Sequence, residues 1–333
     1  MSSPLPLVTV VVPTMNRANL LRLTLESALN QTYRNIEILV SDNASEDGTW
    51  SFLQGIADQR MRTFRRPTRL PMYDHWNAIL EEARGNYFLL LSDDDILESN
   101  AIESMVSRFE TNPSLGLVFC RGVVIDTHGH EVIPGQAAKP VLSAEEMMLG
   151  FFRSELDLWP CAILFRRSDV YPGYSAEFPL GADTAVWMRV VAKYGRAGFI
   201  SDPLTRYRVH QNTTSTVGFH AWRDDNLRLA TYAAELLDSS GRASPGIREK
   251  LHSESKRLNL RIMAGLIKAR STGSKPKALI LLLRNIKPFV SLYGGWVLSK
   301  SIIEVLAPRK LRKHLVGLSR ILKGQAAFLS RSG

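Results

Sequence analysis

The sequence predicts an α/β layered protein built on a mostly parallel central sheet. Two observations carry this expectation. Short runs rich in Val, Ile and Leu alternate with longer segments of helical periodicity as far as Asp126, the pattern of strand–helix–strand units. Three polar clusters, "PTMNR", "SDNASEDGT" and "SDDD", each follow one of the apolar runs directly. In such sheets ligands bind beyond the carboxyl ends of the strands, so three polar clusters on one rim point to a binding site.

Each element has its own reason. "LVTVVVP" (7–13) is a β-branched run closed by Pro13, a buried strand. It is too short for a secretion signal. "NLLRLTLESALNQ" (19–31) places Leu20, Leu23 and Ala28 at helical spacing, with Asn19 as the expected cap. "NIEILVSDN" (35–43) is a second strand, and "SEDGTWSFLQGIA" a turn running into a helix. "MRTFRR" is a third strand, "YDHWNAILEEARG" a helix with Gly85 as its stop, and "NYFLLLSDDD" a fourth strand. "SNAIESMVSRFE" and "LGLVFCRGVVID" continue as helix and strand. Beyond that the rhythm weakens. "THGHEVIPGQAAKP" reads as a loop or hairpin, and "SAEEMMLGFFRS" as a helix with a Ser-x-x-Glu capping box. "CAILFRRSD" is a strand, "GADTAVWMRVVAKYG" a helix closed by Gly195, and "GFISDPLTRYRVHQNTTS" a strand entering a polar loop. "HAWRDDNLRLATYAAELLDSS" is helical, and "GRASPG" (241–246) reads as a linker.

Composition narrows the function. The chain has 333 residues, 45% hydrophobic and 22% charged, ordinary for a globular protein of one large domain with an appendage. Cys120 and Cys161 lie far apart without a CxxC spacing, so neither a disulfide framework nor a thiolate zinc site is suggested and a reducing compartment is expected. The net charge of +10 is unevenly spread. Residues 241–333 hold 20 Lys and Arg against 3 Asp and Glu, a net +17, leaving −7 on the first 240. An acidic body with a basic extension suits a catalytic domain whose tail meets an anionic surface.

The acidic triplet Asp93, Asp94 and Asp95 carries the clearest chemistry. Adjacent like charges repel, so three carboxylates at one strand end call for a positive partner. A hard divalent cation takes oxygen ligands, typically one or two carboxylates plus substrate phosphates; an acidic helix cap is the plainer alternative. Asp42 ends the second strand where dinucleotide folds place an acidic residue, yet no GxGxxG follows the first strand, which argues against a dinucleotide cofactor. Asp183, near a helix start, could by itself be only a cap, and His210 only a hydrogen-bonding surface residue.

Taken together, "VTVVVPTMNRANLLRLTLESALNQTYRNIEILVSDNASEDGT", "ARGNYFLLLSDDD", "DTAVWMRVVAKYG" and "PLTRYRVHQNTTS" strongly resemble glycosyltransferase family 2, the inverting nucleotide-sugar transferases. The resemblance spans residues 7–216 and rests on four motifs in the family's order; it does not reach the basic C-terminal region. It implies a GT-A fold, a Rossmann-like mixed sheet flanked by helices, with a helical C-terminal extension. The corresponding domains are 1–240, catalytic, and 241–333, basic and helical.

The resemblance also implies roles. Pro13, Thr14 and Asn16 line the nucleotide pocket, with Met15 standing where the family usually has an aromatic. Asp42 binds the base, Asn43 shapes that loop, and Asp93 meets the ribose. Asp94 leads the metal site, Asp95 supports it or adds a ligand, and His210 lies near diphosphate and metal with Arg206 and Arg208 close by. Asp183 is the general base, in an Ala-Asp pair where Glu-Asp is usual. The implied cofactor is Mg²⁺ or Mn²⁺. The implied donor is a nucleotide-diphosphate sugar, of UDP or dTDP class by preference. The implied acceptor is a hydroxyl of a glycan or lipid-linked sugar in bacterial surface polysaccharide synthesis. A non-catalytic nucleotide-sugar-binding scaffold is the alternative, and a nucleotidyltransferase a weaker one, since "PTMNR" lacks a Gly-rich phosphate loop.

In the tail, "PFVSLYGGWVLS" offers only 12 uncharged residues between Lys287 and Lys300, too few for the roughly 20 that span a bilayer. Leu311, Leu315, Leu318 and Leu322 fall at helical spacing with Arg312, Lys313, Arg320 and Lys323 between them. That describes a basic amphipathic helix for an anionic membrane surface. No nucleic-acid module accompanies the charge. The expected location is the cytoplasm, at the inner membrane face.

Overall fold

The structure, a computed structural model, describes residues 5–209 and 219–271, with side chains described through 209 and from 222 to 262. His210 and the tail segments at 288–299 and 311–323 lie outside the described residues.

The element order is β1 (Val8–Thr14), α1 (Ala18–Leu29), β2 (Ile36–Asp42), α2 (Thr49–Gln54), β3 (Met61–Arg65), α3 (Met72–Leu80), β4 (Tyr87–Leu90), β5 (Ile96–Leu97) and α4 (Ala101–Thr111). Then come β6 (Leu117–Ile125), β7 (Glu131–Ile133), β8 (Val141–Ser143), α5 (Ala144–Arg153), a 3₁₀ turn (Pro160–Ala162), β9 (Ile163–Arg166) and α6 (Arg167–Val170). The chain continues through α7 (Ala182–Tyr194), β10 (Arg196–Arg208), α8 (Phe219–Ser239) and α9 (Ile247–Ser271).

The strands form one sheet in the order β3-β2-β1-β4-β9-β6-β10-β5, with β7 beside β6 and β8 beside β10. The first four are parallel, β1 pairing with β2 and β4, and β2 with β3. The expectation of a mostly parallel sheet fails at β9, which runs antiparallel to both β4 and β6. The sheet is therefore mixed. Beyond β9, β10 and β6 are parallel again.

The parallel half explains its own sequence. Every residue of β2 is buried; Ile36, Ile38, Leu39 and Val40 are its apolar stretch, and the buried Glu37 is satisfied by the Thr9 hydroxyl, which donates to its Oε1 at 2.6 Å. Val8, Val10, Val12, Ile38, Val40 and Leu89 form the heart of the core. β1 and β2 end opposite one another at Thr14 and Asp42, and the parallel β4 ends opposite Val11, so the three polar C-terminal segments lie on the same edge of the sheet.

Two terminus expectations are corrected. α1 begins at Ala18 with Arg17 as N-cap and no side-chain cap, so Asn19 lies inside the first turn. α3 ends at Leu80, short of Gly85. Gly85 serves a different purpose: a Cβ there would lie 2.6 Å from the Thr9 backbone nitrogen, so only glycine permits this close approach to β1. The capping box at Ser143 and Glu146 is formed in full. Gly195 closes α7 in the left-handed conformation.

Contacts divide the chain into two compact units. The first comprises residues 1–217 and 224–255, the second 218–223 and 256–333. In the first, Asp225 of α8 accepts from the backbone N–H groups of Leu180 (2.7 Å) and Gly181 (3.0 Å), fixing the entry to α7. In the second, Asn259 Nδ2 donates to the Arg223 carbonyl at 3.3 Å. No helix among the described residues is long and apolar enough to cross a membrane.

Candidate active site

A cleft of about 260 Å³ opens beyond the carboxyl ends of β1, β2 and β4. Its wall includes Pro13, Thr14, Asn43, Asp93 and Asp94 from the strand-end loops, and His75 and Trp76 from α3. This is where an α/β sheet places its ligands.

The loop after β1 is held from both sides. Thr14 Oγ1 donates to Asp93 Oδ2 at 2.7 Å, tying the ends of β1 and β4 together. Asn16 takes a left-handed φ of 55°. Its backbone N–H donates to Ser45 Oγ at 2.8 Å, and its Oδ1 accepts the Glu46 N–H at 2.8 Å. Asn16 thus stitches the first loop to the second behind the cleft instead of lining it. Arg17 follows as the N-cap of α1, its backbone N–H on Thr49 Oγ1 at 3.1 Å. Its side chain turns back over the acidic triplet.

In the second loop Asp42 is fully buried. Its Oδ1 accepts the Ser45 N–H at 3.1 Å, an Asx-type turn, and Oδ2 lies 3.4 Å from Arg65 Nε. Asn43 does line the cleft. Its amide exchanges two hydrogen bonds with the Leu70 backbone, at 2.9 and 3.0 Å, and so pins the 66–71 loop over the pocket.

The three aspartates have three different environments. Asp93 faces the cleft; burial pushes its carboxyl up to about 6, against the pull of the Arg17 guanidinium. Asp94 Oδ2 accepts from Arg17 Nη1 at 2.5 Å, and the same nitrogen lies 3.6 Å from Asp93 Oδ1. Asp95 is fully buried behind them, with Oδ1 on the Arg208 backbone N–H at 2.9 Å and Oδ2 without a hydrogen-bond partner. Burial and then the neighbouring Asp94 charge raise its carboxyl well above the carboxylate range. Of its two expected roles, this placement suits support rather than direct ligation.

Arg208 does not face the cleft. It is 2% exposed. Its guanidinium donates to the carbonyls of Asp94 (2.9 Å), Asp126 (2.9 Å) and Thr127 (3.4 Å), holding the triplet's backbone to the end of β6. Arg206 pairs with Glu98 at 2.5 Å. Neither arginine is part of the cleft wall. Tyr207 is the β10 residue that reaches the cleft, stacked on Trp159 with ring centroids 4.7 Å apart.

Asp183 lies in the first turn of α7, half-buried, and burial raises its carboxyl to about 6. It is not on the cleft wall itself. Its charge acts on the buried Tyr174 hydroxyl, and Tyr174 packs edge-on against Trp76 at 5.1 Å. Asn77 of α3 holds the Tyr174 backbone with two hydrogen bonds of 2.8 Å.

Several cleft residues had no sequence signal. His75 and Trp76 read only as helix content, yet His75 Nε2 sits 2.8 Å from Ser41 Oγ and burial lowers its pKa to about 4, so the ring is neutral. Arg17 is the one cation of "PTMNR", and only the fold brings it onto the acidic cluster.

Residues 9–171 match the family model described as Glycosyl transferase family 2. This stretch of the chain is therefore a glycosyltransferase family 2 domain. Among curated relatives, this glycosyltransferase is 27% identical over 215 residues to the UDP-Glc:alpha-D-GlcNAc-diphosphoundecaprenol beta-1,3-glucosyltransferase WfaP of Escherichia coli, covering 64% of this chain and 81% of that one. It is 34% identical over 107 residues to the GalNAc(5)-diNAcBac-PP-undecaprenol beta-1,3-glucosyltransferase of Campylobacter jejuni, 31% of this chain and 35% of that one. Solved structures share the GT-A fold. Staphylococcus aureus TarS 1–349 aligns with a TM-score of 0.56 at 15% identity, over 94% of this chain and 87% of that one. The mannosyltransferase PcManGT of Pyrobaculum calidifontis, in complex with GDP-Man and Mn²⁺, aligns with a TM-score of 0.52 at 21% identity, over 86% and 82%.

Proposed function

We propose that this glycosyltransferase moves a sugar, with inversion, from a nucleotide-diphosphate sugar to a hydroxyl of a lipid-linked glycan during bacterial surface polysaccharide synthesis, with Mg²⁺ or Mn²⁺ as cofactor. The observation that carries this reading is the acidic strand-end pair Asp93 and Asp94, opening on a cleft walled by the loops of three parallel strands. The relatives' lipid-linked acceptors support the acceptor class.

The donor set fits a hard cation. Asp93 and Asp94 present carboxylate oxygens on the cleft, and no cluster of three or more His, Cys, Asp or Glu suited to a metal occurs among the described residues. Phosphate oxygens of the donor would complete the ligand set, as is usual for Mg²⁺. Asp94 is the leading ligand in this proposal, Asp95 stiffens it from behind, and His210 is assigned beside the diphosphate. The cation, when bound, neutralises charge developing on the departing nucleoside diphosphate. Pro13, Thr14 and Asn43 shape the nucleotide side, with Asn16 and Asp42 bracing the loops beneath them. Asp93 is assigned to a ribose hydroxyl.

Asp183 accepts the proton of the acceptor hydroxyl. A carboxyl raised to about 6 is still ionised at neutral pH and is a stronger base than an ordinary aspartate. The displacement is in line and single-step, so no covalent nucleophile is required. The tail, residues 241–333, is assigned to the anionic inner face of the membrane, where a lipid-linked acceptor resides.

Calorimetric titration with UDP, dTDP, GDP and CMP, each with and without Mn²⁺, tests the proposal. Metal-dependent binding of one diphosphate nucleotide is expected. No binding of any of the four, with or without metal, removes the catalytic reading and favours a scaffold.

A further inference from the structure

The positive partner in contact with the acidic triplet is a side chain of the protein itself. Arg17 Nη1 sits 2.5 Å from Asp94 Oδ2 and 3.6 Å from Asp93 Oδ1. Its backbone is anchored on Thr49 and at the start of α1, so the side chain pivots from a fixed point. Its side chain is 22% exposed and lines the cleft together with both aspartates.

This arrangement bears on how the cleft fills. A guanidinium matches a phosphate as well as it matches a carboxylate, and binds either with two parallel hydrogen bonds. A divalent cation and the Arg17 guanidinium compete for the same Asp94 oxygen. Two cations on one carboxylate a few ångströms apart repel. A diphosphate entering the cleft supplies a second anion for Arg17, and its arrival frees Asp94.

We propose that Arg17 is the specificity and coupling residue of the cation site: it pairs with Asp94 and yields it to the divalent cation when a nucleotide diphosphate draws the guanidinium away. This rests on the metal-dependent reading above. Its consequence is reciprocal coupling, in which the cation binds weakly alone and tightly with the diphosphate, and the diphosphate likewise with the cation. A nucleoside monosaccharide donor lacking the diphosphate would not release the carboxylate.

The test is Mn²⁺ affinity of the full-length protein, read by electron paramagnetic resonance of free Mn²⁺. It is done alone and with whichever of UDP, dTDP or GDP the wild type binds. Arg17→Gln is expected to bind Mn²⁺ about tenfold or more tightly without nucleotide, since even water-like screening leaves that much repulsion to relieve. Its coupling between Mn²⁺ and nucleotide should shrink in proportion. Arg17→Lys keeps a cation and should remain weak for Mn²⁺ alone. An independent variant reads the other side of the exchange: Asp94→Asn releases Arg17 and should bind the diphosphate more tightly than wild type in the absence of metal. Unchanged or weaker Mn²⁺ binding in Arg17→Gln, or unchanged metal-free nucleotide affinity in Asp94→Asn, overturns the proposal. If wild type itself shows nucleotide binding without any Mn²⁺ dependence, the metal reading fails first, and this inference with it.

Discussion

Arg208 offers the sharpest test of how the site is supported. Substitution by Met keeps the length of the side chain and removes the guanidinium. In wild type that group, 2% exposed, satisfies the carbonyls of Asp94 and Asp126 at 2.9 Å each and leans on Thr127 at 3.4 Å. A hydrogen bond from a charged donor contributes about 1.5–3 kcal/mol, and a buried acceptor left bare costs about 1–3 kcal/mol. Two well-made bonds therefore put the loss at about 3–5 kcal/mol, allowing for partial relaxation of the loops. That is a large share of the roughly 5–15 kcal/mol available to a folded protein. Urea unfolding followed by circular dichroism, with a fixed slope, reads it as a lower midpoint. Arg208→Lys should recover only part, since one ammonium cannot reach all the acceptors. A loss below about 1 kcal/mol, accompanied by a selective fall in nucleotide affinity, would show that Arg208 works on the ligand and that its structural assignment is mistaken.

Other expectations follow from the same geometry. Asp183→Asn should lower kcat by about 10²–10⁴-fold, the usual share of a positioned base, while donor Kd stays within about twofold; wild-type turnover in a radiolabelled transfer assay would remove Asp183 from the mechanism. The pH dependence has a definite sign. Burial raises Asp183 to about 6, and the base works ionised, so kcat at saturating donor should be level near neutrality and fall about tenfold per unit below that value. An acid limb near 4 would mean that an ordinary exposed carboxylate, not this one, sets the rate. Residues 241–333 carry the net +17, so full-length protein should float with vesicles rich in anionic lipid at low ionic strength and release as salt rises. A chain that stays in the soluble fraction under those conditions has no surface anchor in its tail.

β1, β2 and β4 were legible because a strand covered on both faces is rich in Val, Ile and Leu over a short run bounded by polar residues. The capping box at Ser143 and the stop at Gly195 were legible because both are local: they depend on residues three or four apart and on a backbone angle that favours glycine. The acidic triplet stood out because adjacent like charges need a reason. The β9 segment is legible as a strand, but its antiparallel direction is set by where the preceding loops carry the chain.

What the sequence by itself determined is therefore the local chemistry: which segments are strands and helices, which strand ends are polar, and where carboxylates gather. Tertiary structure alone decided what those carboxylates touch. Arg208 and Asp94 are 114 positions apart, Thr14 and Asp93 79, yet each pair is in hydrogen-bond contact. Parallel pairing of β1 with β4 and the reach of β10 along the sheet bring them together. Asp93, Asp94 and Asp95 are identical in sequence. They differ only because the fold exposes one to the cleft, pairs the next with Arg17 and buries the third, and it is water, neighbouring charge and hydrogen bonds that set what a carboxylate can do.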